Sequence, residues 1–494
     1  MKIEQLLEKK EQLQVLILRD MVLHGGTVGT NQLREQVNLS KTSFDQYIAE
    51  IPMIGMMMGK KVAIKRNEFQ VTLELAEDVS LEKIILFLVQ QSLKFNLLVY
   101  LLEHHQASIV RLATAFNISE SSVFRKIKEL NQLLQEFSLQ IKNGQLYGEE
   151  LQVRYFYYVL FQFISESQRP LFLQQTPDKA PLILGLERAL ETTFSQESAS
   201  KIACWLGITR KRLLSEKTTF ATLKEKKILY QKDRLYQALD PVISLYLSRT
   251  AAEISGYEPL MFYSFFVSFA VLSEEHFYQY DLTRSKKLPT AVLDTYIRET
   301  MLWHYRPRKL KIKEEKAVGY QLAQIDNEFY FFRGVMMIYE PEHLLQQQKK
   351  MLGRSLSQLL ERLKETTLTQ LPAKQGEEAA LSYLMIQYAN ILMMIDFYIA
   401  KSVTIGIDIE TLPIYRVAFQ QFLLRELKGI SGIEIENRRP GKKYDLVITF
   451  NQEDPHQNYY YLSEFASSYD IARLKQKIEE EKKQKIKNCQ KNRK

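Results

Sequence analysis

Residues 108–148, SIVRLATAFNISESSVFRKIKELNQLLQEFSLQIKNGQLYG, read as two helices set at a corner and followed by a two-stranded hairpin. Leu112, Ala113 and Phe116 share one face of a short helix, and Val123, Ile127, Leu130 and Leu134 share one face of a second, the recurrence expected of amphipathic helices. Asn117-Ile118-Ser119 breaks between them. Ile118 plugs the angle, and Ser119 caps the second helix, its hydroxyl oxygen accepting an otherwise orphan amide. With the inward face assigned, Glu120, Ser121, Ser122, Arg125, Lys126 and Lys128 are expected on the remaining faces, toward solvent or a ligand. Short hydroxyls followed by cations suit a helix entering a DNA major groove end-first, where hydroxyls and the positive helix dipole meet phosphate and Arg meets base edges. Leu139 to Gly148 then alternates around Asn143-Gly144, a strong hairpin signal, and places Lys142 on a wing beside the second helix.

A basic helical corner can also be plain packing, but this one is repeated 79 residues upstream. Asn38-Leu39-Ser40 matches Asn117-Ile118-Ser119, and Leu33 matches Leu112. Ser43, Phe44, Ile48, Glu50 and Ile51 answer Ser122, Val123, Ile127, Glu129 and Leu130, so core and capping positions recur in register. A second wing is expected from Lys61 to Leu75, alternating around Lys65-Arg66-Asn67. Candidate DNA contacts are Ser119, Ser121, Ser122, Arg125, Lys126, Lys128 and Lys142 in the second corner. The first offers Lys41, Thr42, Ser43 and Gln46 on its helix and Lys60, Lys61, Lys65 and Arg66 on its wing. The first helix continues into Asp45, Gln46 and Tyr47, so phosphate repulsion handicaps it and the second corner is expected to supply most of the affinity.

FNISESSVFRKIKELNQLL, the wing LQIKNGQLYGEE and the run-on VRYFYYVLF resemble the Mga-type regulators of Gram-positive bacteria, over Met1 to about Phe161. The resemblance implies a transcription activator, tied to virulence or carbon metabolism. It implies two N-terminal winged helix-turn-helix domains, two helical domains like the phosphotransferase-system regulation domain, and a C-terminal domain like enzyme IIB of sugar transport. The corresponding segments here are 1–78, 79–150, 151–285, 286–400 and 401–494. The expected fold is therefore multidomain and mainly α, with a small α/β domain at the C-terminus.

Composition agrees with several domains: 494 residues exceed one core, and 46% hydrophobic with 25% charged is ordinary for globular protein. Cys204 and Cys489 are too few for a disulfide framework or a zinc site, which fits a reducing cytoplasm. Glu4, Glu8 and Glu11 interrupt any signal-peptide core. Leu381 to Ala400 approaches membrane-spanning length, but Gln387, Asn390 and Asp396 sit within it, so a core or dimer helix is the better reading. The formal charge of +9 is uneven. Residues 1–150 hold 17 Lys and Arg against 18 Asp and Glu, whereas 471–494 hold 10 against 3. The surplus thus sits in a C-terminal tail, read as a solvated, frayed helix end.

Leu81 to His104 reads as a linking helix plus the first helix of the second winged domain. Further helices are expected over 151–165, 182–193, 230–252, 259–280, 291–304, 341–366 and 377–400, with a boundary at 282–290. After Lys401, VTIGI, IEIEN, YDLVITF and YYYLS read as strands, with helices from Pro413 to Leu427 and Ser467 to Lys487. The resemblance to enzyme IIB would put a phosphate-accepting Cys after the first strand; Gly406-Ile407-Asp408-Ile409-Glu410 stands there instead, and its carboxylates repel phosphate. This points to a fold kept for contacts, and homodimerisation through the C-terminal domain is expected.

No phosphate-cradling glycine loop, GxSxG or HExxH occurs, so no enzyme, cofactor or metal is expected. The family resemblance implies histidine phosphorylation by a phosphocarrier protein. His276, His304 and His343 are the candidates, His276 being read as near a helix C-terminus behind Glu274-Glu275. Expected partners are double-stranded promoter DNA, a second copy of the chain, that phosphocarrier and RNA polymerase, and no membrane. A phosphocarrier and a DNA scaffold without sequence preference are the alternative readings.

Overall fold

The computed structural model describes the chain except residues 68, 175–178, 216–218, 250–254, 307–308, 339, 375, 400–402, 409–412, 428–429, 431–432, 440–441, 451–457, 463–466 and 492–494. It forms two compact units, one of residues 1–301 with 316–390 and one of 302–315 with 391–494.

The first unit begins with α1 (Lys9–Leu23), β1 (Thr27–Gly29), α2 (Thr30–Gln36), α3 (Lys41–Met58), β2 (Val62–Arg66) and β3 (Gln70–Leu75). The strands form an antiparallel sheet in the order β1-β3-β2. Gly59, in the left-handed conformation at φ 63°, ends α3. The hairpin turns at Asn67, whose Oδ1 accepts from the amides of Phe69 and Gln70.

The repeat follows as α4 (Leu81–Gln91), α5 (Leu93–His104), α6 (Ile109–Phe116), α7 (Glu120–Leu134), β4 (Gln140–Lys142) and β5 (Gln145–Tyr147). The expected stretch 81–104 is two helices bent by 59°. Ser92 makes the bend, donating to Val89 O and capping α5 by accepting from the Phe95 amide. Asn38 and Asn117 occupy the same place in the two corners and share one backbone conformation, at φ 49° and 52°. Each reverses the chain after the first helix of its corner, a position that Asn tolerates better than other L residues.

The helices that complete the first unit are α8 (Glu150–Gln162), α9 (Leu171–Gln174), α10 (Lys179–Ala189), α11 (Gln196–Arg212), α12 (Ala221–Tyr230), α13 (Arg234–Leu247), α14 (Glu258–Ser268) and α15 (Glu274–Thr283). After these come α16 (Pro289–Tyr305), α17 (Ile312–Phe331), α18 (Pro341–Gln370) and α19 (Glu378–Ile399), parts of which belong to the second unit. The expected helix 259–280 is broken into α14 and α15, while α9, α11, α12 and α17 went unforeseen. Gly353 breaks the helical geometry of α18 at φ 74° and ψ 178°.

One apolar core runs from Met1 to Ile338 and draws on both corners and the helices after them. Beside it lies a buried charge network on α8, α11 and α14. Arg154 clasps Glu258 at 2.6 and 2.8 Å and Glu150 at 2.9 Å, while Arg212 reaches Glu150 at 2.8 Å. Burial opposes ionisation of Glu150, yet Arg212 and Arg154 hold its pKa below the usual carboxylate value. By length and composition α19 could cross a membrane. Its Leu384, Tyr388, Leu392 and Ile395 are nevertheless buried inside the protein, and Tyr388 Oη donates to Asp326 at 2.5 Å.

The second unit holds β6 (Val403–Asp408), α20 (Pro413–Leu427), β7 (Ile433–Asn437), β8 (Leu446–Thr449), β9 (Tyr459–Tyr461) and α21 (Ser468–Lys491). All its strand pairings are parallel, in the order β7-β6-β8-β9. Val403, Ile405, Leu423, Leu446, Ile448, Leu474 and Ile478 form its core. Arg438 binds Asp408 at the end of β6 at 2.6 Å. Ile409 and Glu410 of the expected acidic loop lie outside the described residues, as do the side chains of the basic tail from Lys482 onward, Cys489 included.

Candidate nucleic-acid interface

In both corners a serine sets the start of the second helix. Ser40 Oγ accepts from the Ser43 amide at 3.2 Å, and Ser119 Oγ accepts from the Ser122 amide at 3.3 Å. Ser119 Oγ also lies 2.9 Å from the hydroxyls of Ser121 and Ser122, so three hydroxyls gather at the N-terminal end of α7. That end carries partial positive charge and unpaired amides, the complement of a phosphate.

Along α7 the inward face is Val123, Leu130 and Leu134, with Ile127 half-buried. Ser121, Arg125 and Lys128 face outward, as expected, and Lys142 is exposed on the wing. Arg125, Lys128, Lys142 and Lys41 have no carboxylate within 4 Å among the described residues.

Lys126 corrects the reading of this helix. It was expected toward solvent, but it is 6% exposed and its ammonium binds Glu8 at 2.6 Å and Glu129 at 3.0 Å. Burial disfavours that charge, yet hydrogen bonds to Glu8 and Glu129 outweigh it and raise the pKa above the usual lysine value. Nearby, Lys94 donates to the carbonyls of Gln5 and Leu7 at 2.8 and 3.0 Å. Lys126 and Lys94 thus pin the segment leading into α1 against the second corner.

The first wing differs from the second in its charge balance. Lys60 pairs with Asp78, Lys65 and Lys61 share Glu74, and Arg66 binds Asp45 at 2.7 Å. Hydrogen bonds from Lys65 and Lys61 hold Glu74 below the usual carboxylate value, and Lys60 does the same for Asp78. Each expected wing cation therefore already has a counter-charge. The Arg66 contact also balances Asp45, the residue whose repulsion was expected to handicap α3. On α3, Lys41 and Thr42 are exposed, Ser43 is half-buried at the cap, and Gln46 donates to Glu50 at 3.2 Å.

Sequence reasoning missed Phe124, which is 58% exposed directly before Arg125. It borders a cleft of about 680 Å³ with Ser108, Arg111, Ile127 and Asn143, between the start of α6, α7 and the wing turn. Phe124 breaks the apolar spacing of α7, and that exception was the available signal.

Residues 77–161, from the turn before α4 into α8, match the Mga helix-turn-helix domain. The chain therefore carries a Mga-type helix-turn-helix domain. No curated protein matches the chain. The Mga domain contains the whole second corner and stops short of the first. That domain implies a DNA-binding transcription regulator.

The three candidate histidines lie on three different helices. His276 lies in the first turn of α15, not near a helix C-terminus, because Ser273 caps that helix by accepting from the His276 amide. Its Nδ1 lies 2.7 Å from Ser273 Oγ and 3.1 Å from Thr192 Oγ1. His304 is half-buried at the end of α16 beside Tyr305, and His343 is exposed in the first turn of α18.

Proposed function

We propose that this chain is a Mga-type, sequence-specific transcription activator that reads promoter DNA chiefly through its second corner. The observation that carries the proposal is the contrast in charge pairing. Arg125, Lys128 and Lys142 are exposed without carboxylate partners among the described residues, whereas each of the first wing's cations sits against a carboxylate, Lys61 and Lys65 sharing one. Unpaired cations release counterions on meeting phosphate and dominate affinity. Arg125 reads a base edge in this arrangement, and Lys128 and Lys142 hold the backbone.

Anisotropy titrations with promoter and random duplexes test the assignment. Arg125→Ala should cost about 1–3 kcal/mol on promoter DNA and relax specificity at one position. Lys128→Ala should weaken all sequences alike and lower the salt slope by about one. Lys65→Ala should change binding less than Lys128→Ala, since Lys65 is already paired with Glu74. Loss of binding with Lys65→Ala and none with Arg125→Ala would reverse the assignment. Equal affinity for promoter and random DNA in the parent protein would favour a non-specific scaffold.

The regulator acts as a homodimer joined through its C-terminal α/β unit. Supporting this are the unit's own apolar core and the edge strand β9, which carries the exposed Tyr461. Deleting residues 403–494 should leave a monomer by light scattering. A truncated protein that keeps the parent mass would sink the idea.

A further inference from the structure

A cavity of about 360 Å³ opens within the first unit, where the segment after the second wing meets α12, the end of α17 and the end of α18. Lys226, Arg333 and Lys374 converge on it from three places distant in sequence. Lys374 is 7% exposed; its ammonium donates to Phe332 O at 2.5 Å and to Glu377 at 3.1 Å, which leaves one of its three donors open. Arg333 meets Glu377 through Nε at 3.3 Å and has no second carboxylate partner among the described residues. Lys226 lies over the Tyr330 ring at 4.9 Å and has no carboxylate partner among the described residues. Burial lowers the pKa of both lysines, and the neighbouring Arg333 lowers each further. The cluster thus carries like-charge repulsion, which two carboxylates offset in part. Glu377 is held by Lys374 and Arg333, and Glu149 accepts from the Ala221 and Thr222 amides and from Thr222 Oγ1.

The remaining wall suits an organic body rather than a bare anion. Tyr330 and Phe331 supply ring surface, and Gln152 Oε1 is buried there with no hydrogen-bond donor among the described residues. A buried acceptor without a partner is costly, and a hydroxyl on an occupant would satisfy it. The volume lies at the lower end of the range for small-molecule sites.

We propose that this cavity binds a small sugar phosphate, with its phosphate on Lys226, Arg333 and Lys374, its ring against Tyr330 and Phe331, and a hydroxyl on Gln152. Isothermal calorimetry on the full chain tests it with glucose 6-phosphate, glucose and inorganic phosphate as probes. Glucose 6-phosphate should bind at about millimolar concentration or tighter, and each control should bind at least about tenfold more weakly because it lacks one half of the contacts. Lys226→Gln, which breaks no ion pair among the described residues, should weaken glucose 6-phosphate about tenfold while leaving the melting temperature of the free protein near the parent value. Absence of heat with glucose 6-phosphate, equal binding of inorganic phosphate, or an unchanged affinity in Lys226→Gln would each overturn the proposal. DNA is absent from the measurement, so its outcome does not depend on the promoter-binding reading.

Discussion

Replacing Arg154 with Met should lower the unfolding free energy by about 3–5 kcal/mol, because it strands a buried negative charge. Arg154 and Glu258 are each 1% exposed, and Glu258 has no other ion-pair partner among the described residues. Glu150, at 0% exposed, would keep Arg212 but lose Arg154. The network holds two cations and two anions, so removing one of each is a different experiment from removing one. Arg154→Met combined with Glu258→Leu should recover most of the loss, since the Glu150–Arg212 pair stays balanced and two apolar side chains replace two desolvated ions. Urea unfolding of the two single variants and the double variant measures both numbers. A single variant that costs less than about 1 kcal/mol would mean that water reaches the network and the charges are not truly buried.

Gly144→Ala should be nearly as damaging, and locally so. Gly144 sits at φ +71°, and a Cβ there would fall 1.8 Å from the Ala107 carbonyl oxygen. The same contact carries the Ala107 amide to Gly144 O hydrogen bond of 3.0 Å, which fixes the wing to the loop before α6. Left-handed strain costs about 1–2 kcal/mol and relief of the clash about 1–3 kcal/mol more. The wing must therefore leave its seat. Gly59→Ala is the control, for its φ of +63° is similar and left-handed but nothing lies within 4 Å of its Cβ position. The control should lose only the strain. Thermal melting with hydrogen exchange at the β4 and β5 amides distinguishes the two, and equal losses in both variants would contradict the clash.

The corners were legible because their determinants are local. Ser40 and Ser119 cap, Asn38 and Asn117 reverse the chain, and Asn143-Gly144 turns the wing; each acts on neighbours within a few residues. Ser273 was an equally local cap that went unread. The apolar run 259–280 was taken as one helix, which put His276 at the wrong end of its element. Ser195 and the cations Arg210, Lys211 and Arg212 similarly bounded α11, whose buried residues surround the helix and leave no amphipathic period to follow. Lys126 was beyond reach for another reason. Its partner Glu8 is 118 residues away, and no spacing rule pairs residues so distant. The same holds for Lys226, Arg333 and Lys374, which only the folded chain brings to one cavity.

The pinning of the segment before α1 by Lys94 and Lys126 bears on how DNA is measured. Joined by a loose tether, two reading heads would sample many separations, and their combined affinity would follow the statistics of that tether. Here a shared core and buried polar clamps replace the tether. The distance and rotation between the two corners become constants of the molecule, so a chain that reads DNA with both would work as a ruler: bases that neither corner touches would still count, because their number sets the phase of the double helix between the two footprints.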